Sequence, residues 1–239
     1  MTPLTKGRYT VRPAVQDDMA AIFGLRAVCF GAAGAVADRC DATATHVLVC
    51  DAQTQVAVAA FRMSVLDGAQ IGHSYAAQFY GLEALTAFDG PMLELGRFCI
   101  HPAHSDPDIL RIAWAALTAC VDGRGVQMLF GCSSFAGTQT APYMDAFALL
   151  RARHLGPARW LPAVKAAEVF RYAAQINARP DLARAHAAMP PLLRTYLMMG
   201  GWVSDHAVVD RAMGTLHVFT ALETRAIPPA RKRLLRALV

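Results

Sequence analysis

Met92-Leu-Glu-Leu-Gly-Arg-Phe-Cys-Ile100, followed by His101-Pro-Ala-His-Ser-Asp-Pro107, is the stretch whose reading decides the fold. The first segment has the composition of a strand, and a glycine inside a strand, here Gly96, marks a bulge or a close approach. Ser105-Asp106-Pro107 is a helix start, a capping side chain followed by proline in the first turn. Ile109, Ile112, Trp114, Leu117 and Val121 then recur at helical spacing as far as Gly123. Val126-Gln-Met-Leu-Phe130 is the next strand, and this order of strand, loop, helix and strand belongs to an α/β protein.

Working outward, Tyr9-Thr-Val-Arg-Pro13 reads as a first strand, and Asp17-Asp18 lead into a helix carrying Met19, Ile22, Phe23, Leu25 and Arg26. Residues 31–45 are rich in Gly and Ala with little periodicity and are expected to form a mobile loop. Two strands over 46–50 and 55–63 follow, joined by the turn-like Asp51-Ala-Gln-Thr54. Gly131-Cys-Ser-Ser134 reads as a turn and 142–154 as a helix. No repeat or low-complexity linker intervenes. Residues 1–222 are therefore expected to form one domain with a looser, basic part from about 151, and 223–239 a basic amphipathic tail.

At 55% hydrophobic and 17% charged, the 239-residue chain can bury a sizeable core and is neither disordered nor coiled coil. Its apolar stretches are broken by polar residues before they reach the roughly 20 needed for a membrane span. No apolar run follows the basic N-terminal residues, which points to the cytoplasm. The six cysteines show no paired metal spacing, and the eight histidines form no ligand pattern, so no metal is expected. Charge is divided unevenly. Residues 1–150 carry nine Arg and Lys against thirteen Asp and Glu, a net of −4, whereas 151–239 carry fourteen against five, a net of +9. The basic part calls for an anionic partner. No zinc-finger, homeodomain-like or RNP pattern accompanies it, so nucleic acid is not expected.

Three groups of residues could carry chemistry. Glu94 and Arg97 would approach a common cleft if the strand bulges at Gly96, one as base and the other as anchor. Arg26 and Phe30 lie on one helix face, and Asp38 and Asp41 in the following loop could hold a cationic or zwitterionic small molecule. Arg62 ends an otherwise apolar strand, where a charge needs a partner such as one of those carboxylates. The loop 101–106 leads into a helix N-terminus, a seat for an anion, but it has no Walker lysine. Ser133-Ser134 is not a nucleophile elbow.

In combination, Glu94-Leu-Gly-Arg-Phe-Cys-Ile-His-Pro102, Leu129-Phe-Gly-Cys-Ser-Ser-Phe-Ala-Gly-Thr138 and Pro190-Pro-Leu-Leu-Arg-Thr-Tyr-Leu197 resemble the bacterial L-ornithine N(α)-acyltransferases. The resemblance also takes in Gly7-Arg-Tyr-Thr-Val-Arg12, His46-Val-Leu-Val-Cys-Asp51 and the Arg26, Phe30, Asp38 and Asp41 group. It implies a GNAT-like fold, a mixed central β-sheet flanked by helices. The implied reaction moves a 3-hydroxyacyl group from acyl-carrier protein to the α-amine of L-ornithine, giving lyso-ornithine lipid. The chain is similar as well to the acyl-homoserine-lactone synthases, whose sparse pattern falls here on Arg26, Phe30, Asp38, Asp41, Arg62, Glu94 and Arg97.

The resemblance implies Glu94 and Arg97 as catalytic residues, and Arg26, Phe30, Asp38, Asp41 and Arg62 around the acceptor. Asp38 and Asp41 would meet its cationic groups, and the arginines would hold its carboxylate or order the loop. Backbone N–H groups of Gly96, Arg97 and Phe98 would form the oxyanion site. Ser105, Asp106 and Ile109 would take the carrier's phosphopantetheine. No other cofactor is implied. Expected partners are acyl-carrier protein, L-ornithine and, through the basic part, the inner face of an anionic membrane. Two alternatives are an acyl-homoserine-lactone synthase using S-adenosylmethionine and a non-catalytic paralogue that binds carrier or lipid.

Overall fold

The computed structural model describes residues 2–32 and 36–237. The expected loop and tail therefore lie partly outside the described residues, at 33–35 and 238–239. In chain order the elements are β1 (Leu4–Lys6), β2 (Tyr9–Pro13), α1 (Met19–Phe30), β3 (Thr45–Asp51), β4 (Ala57–Leu66), β5 (Tyr80–Gly81), β6 (Met92–Ile100) and α2 (Pro107–Arg124). Then come β7 (Met128–Ala136), α3 (Met144–Arg153), β8 (Ala163–Val164), β9 (Val169–Phe170), α4 (Tyr172–Gln175), α5 (Leu182–Ala188), α6 (Pro191–Met198), β10 (Trp202–Asp210), β11 (Thr215–Glu223) and α7 (Pro229–Arg236). Among the described residues no helix is long and apolar enough to cross a membrane. The α/β class expected from the sequence holds.

Contacts divide the chain into two compact units. The first takes in residues up to 65, 93–126 and the tail from 228, with strand order β1-β2-β3-β4-β6. Antiparallel pairing sets His46 of β3 directly opposite Arg62 of β4. Because side chains alternate along a strand, His46, Leu48 and Cys50 share a face with Ala60 and Arg62. Helix α1 lays Ile22 and Leu25 on that face, against Leu48, Cys50, Ala60 and Cys99. Arg26 sits on the same buried stripe of α1, so the packing carries a guanidinium inward with it. Helix α2 starts as expected, with the Asp106 side chain accepting the Asp108 N–H at 2.9 Å and Pro107 in the first turn. It ends on Gly125, whose φ of 60° is the left-handed cap that glycine adopts without cost. The tail does not stand apart: Arg236 of α7 donates two hydrogen bonds, of 2.9 and 3.0 Å, to Asp122 of α2.

The second unit, residues 66–92 and 127–227, overturns two expectations. Gly131-Cys-Ser-Ser134 is not a turn but the middle of β7, paired antiparallel with Thr220, Phe219, Val218 and His217 of β11. Nor is the basic part loose, because β10 and β11 form a long antiparallel pair within it. Both faces of this sheet are covered. Leu216 and Val218 pack with Phe135, Val203, Ala207 and Phe147 on one face. Phe219 and Ala221, of opposite parity, pack with Met128, Phe130, Val208, Tyr80 and Leu85 on the other.

Candidate active site

Three elements of the first unit each send one arginine to the loop between α1 and β3. Arg26 of α1 bonds Asp41 at 2.9 Å; Arg62 of β4 bonds Asp38 and Asp41, each at 2.6 Å; Arg97 of β6 bonds Asp38 at 2.8 Å. The loop also bonds to itself, the Asp38 N–H donating to Asp41 and the Cys40 N–H to Asp38, both at 2.9 Å. Arg26 and Arg62 are only 0% and 2% exposed. Charges so far from water persist only when paired, and these are paired by charge-assisted hydrogen bonds. The described part of the loop, read as mobile, is therefore held by ion pairs from α1, β4 and β6. Its Cys40 is buried.

Asp38 and Asp41 face three protein guanidinium groups, and the five side chains carry a net charge of +1. Burial pushes the Asp38 carboxyl up, but the hydrogen bonds from Arg62 and Arg97 outweigh it and bring the group down to about 2. Asp41 is also held low: burial opposes the shift, and the Asp38 N–H and Arg62 outweigh it. Arg26 is also shifted downward, chiefly by burial.

Glu94 of β6 is 5% exposed. The thiol of Cys40, raised by burial, feels the charges of Arg62, Asp38, Glu94 and Arg39, which sets Glu94 in the electrostatic neighbourhood of the cluster. Three residues on, Arg97 has a φ of 53°. That left-handed conformation is unusual for a side-chain-bearing residue inside a strand and costs roughly 1 kcal/mol, which the Arg97–Asp38 pair helps to hold. The backbone irregularity expected at Gly96 thus falls on Arg97. Gly96 serves the close approach: a Cβ there would sit 3.2 Å from Nε of Arg62 and 3.5 Å from its Cγ. Since Arg62 is pinned by two carboxylates, Gly96→Ala is expected to cost about 1–2 kcal/mol in urea unfolding. An unchanged midpoint would mean that Arg62 yields without loss.

Elsewhere the expected residues separate. Phe30 packs partly buried against the small core beneath α1. Phe98 stacks on Phe61, with ring centroids 5.5 Å apart. Ser105 is exposed at the start of α2, and Ile109 is fully buried. Asp106 accepts the Asp108 N–H and, at 3.0 Å, the Tyr9 hydroxyl, and those two bonds in that order hold its carboxyl below the usual range. An intrinsic carboxylate therefore occupies the helix end where the phosphate was expected, and like charge disfavours that seat. One participant was missed. His46 lies beside Arg26, its Nδ1 3.3 Å from a guanidinium nitrogen, and its Nε2 is 3.0 Å from the Asp41 carbonyl. The one hint in the sequence was a polar side chain opening an apolar strand.

Residues 30–115, which span Phe30, Asp38, Asp41, His46, Arg62, Glu94 and Arg97, match the acetyltransferase (GNAT) domain family. An L-ornithine N(α)-acyltransferase from Rhodobacter capsulatus is 34% identical over 197 residues, covering 80% of this chain and 75% of that protein. Its counterpart from Brucella abortus is 30% identical over 205 residues, covering 80% and 71%. Among solved structures, the loading GNATL domain of CurA from Lyngbya majuscula aligns with a TM-score of 0.54 at 14% identity, over 92% of this chain and 99% of that one. FeeM, an N-acyl amino acid synthase from uncultured soil microbes, aligns with a TM-score of 0.50 at 12% identity, over 94% and 93%. At those identities the structures speak for the fold, which is that of the GNAT proteins.

Proposed function

Because the chain belongs to the L-ornithine N(α)-acyltransferase family, we propose that it acylates the α-amine of L-ornithine to give lyso-ornithine lipid, with a 3-hydroxyacyl thioester of acyl-carrier protein as donor. The observation that carries this reading is the arginine-rich cluster beside buried Glu94, set within the segment that matches the GNAT family. An amino acid brings a carboxylate and an ammonium group. The surplus positive charge of Arg26, Arg62 and Arg97 over Asp38 and Asp41 draws the carboxylate. Glu94 takes the amine.

The α-amine, with an ordinary pKa of about 8, arrives mostly protonated at neutral pH and must lose a proton before it attacks. Glu94 accepts that proton, directly or through one water. The nitrogen then bonds to the thioester carbon, the C–S bond breaks, and the thiolate leaves, taking up the proton that the nitrogen sheds as the amide forms. The N–H groups of Gly96, Arg97 and Phe98 stabilise the oxyanion, and the left-handed turn at Arg97 supports this because it breaks the regular run of the strand. The same turn lets Arg97 hold the loop through Asp38.

The basic residues from 151 onward dock the acidic carrier and rest on anionic membrane at its inner face. Raising salt is expected to weaken both associations. The reaction is tested with purified protein, 3-hydroxyacyl-carrier protein and either L-ornithine or S-adenosylmethionine, following free thiol. Thiol release with ornithine alone supports the reading. Release only with S-adenosylmethionine favours a homoserine-lactone synthase, and carrier binding without release favours a non-catalytic module.

A further inference from the structure

The two contacts of His46 fix its chemical form. A guanidinium nitrogen can only donate, so Nδ1, 3.3 Å from Arg26, must accept. A carbonyl oxygen can only accept, so Nε2, 3.0 Å from the Asp41 oxygen, must donate. Both contacts demand one species, the neutral imidazole with its proton on Nε2. In that form His46 clips the Arg26 guanidinium to the backbone of the residue whose carboxylate Arg26 also bonds.

We infer that His46 is a positioning residue for acyl transfer, a latch whose two contacts hold Arg26 and the 36–44 loop in the acceptor-binding arrangement. This rests on the function proposed above and assigns a role to a residue outside the catalytic set. Arg62 of β4 lies directly opposite His46 in register, and the Asp41 carboxylate is 3.8 Å from Nε2, so the ring sits among the charges that order the loop. Loss of the Nδ1 acceptor loosens Arg26 and raises the KM for ornithine, while the chemical step at Glu94 is not routed through this ring.

Three variants test the latch. His46→Leu keeps the bulk and loses both contacts; the KM for ornithine should rise about tenfold, the factor set by roughly one hydrogen bond, with kcat within about twofold. His46→Gln, which can both accept and donate, should restore KM. His46→Asn, too short to reach Asp41, should resemble Leu and serves if Leu does not fold. Trypsin supplies a readout free of activity, because Arg39 is an exposed loop residue. Cleavage after Arg39 should be slow in the wild type and Gln protein and several-fold faster in Leu or Asn. Wild-type KM and cleavage in Leu and Asn, or equal damage in Gln and Leu, would overturn the latch. A wild-type protein that never acylates ornithine would overturn the function instead, and proteolysis would still decide the latch.

Discussion

Glu94→Gln is expected to lower kcat for ornithine acylation by about 10²- to 10³-fold at neutral pH, the range over which a positioned general base acts. The substitution keeps the size and hydrogen-bonding reach of the side chain but cannot accept a proton from an ammonium group. Binding of the carboxylate end, assigned to the arginines, is untouched, so KM should change far less than kcat. The loss should shrink as pH rises toward and above the amine pKa, since more acceptor then arrives already deprotonated. Steady-state kinetics from pH 6 to 9, with circular dichroism to confirm an intact fold, measure both effects. Full activity at neutral pH would remove Glu94 from the chemistry.

Arg62→Met should be the most destabilising single change in the cluster, costing about 3–5 kcal/mol in urea unfolding. Arg62 is 2% exposed and bridges both carboxylates at 2.6 Å, so its removal leaves buried negative charge that Arg26 and Arg97 each only partly compensate. Methionine fills most of the stem volume, which isolates the charge from the packing. Arg62→Lys should fall between, because an ammonium keeps the charge but is more strongly hydrated than a guanidinium and so is buried at greater cost. The acid limb provides an internal control. Asp38 sits at about 2 in the folded protein against 3.8 ordinarily, so the pairing contributes fully above pH 4 and is lost as pH falls toward 2. Wild-type stability should therefore drop over that interval, and the Met variant should show a shallower drop. A variant within 1 kcal/mol of wild type would mean that water reaches the cluster and screens it.

The residues of the site were legible in the sequence for physical reasons. A charge in an apolar strand, Arg62, needs a partner, and two aspartates three residues apart, Asp38 and Asp41, supply one. The strand was expected to end near Arg62, but β4 runs on to Leu66. The sense of the pairing was not legible. Spacing alone does not say whether carboxylates face a ligand or the protein, and only the convergence of α1, β4 and β6 turns them inward. Composition misled at 31–45, where Gly and Ala suggested freedom but the described residues are held by ion pairs that form only across the fold. Gly131-Cys-Ser-Ser134 carried the residues of a turn, yet its nine-residue strand is completed by β11, some eighty residues away. β10 was hidden by Ser204-Asp205-His206, polar residues at a register shift between Val203 and Ala207 that breaks the alternation of a strand. Helix α2 gave itself away because its capping and proline signals are local, although it runs past the expected Gly123 to end on Gly125.

The most direct test of acyl transfer to ornithine is expression of the protein in a host that makes no amine-linked acyl lipids, followed by mass spectrometry of the lipid extract. The expected result is a new lipid whose mass equals ornithine plus a 3-hydroxyacyl group less one water, absent from the Glu94→Gln strain. An unchanged extract from well-expressed, folded protein, with ornithine and acyl-carrier protein both present in the host, would contradict it.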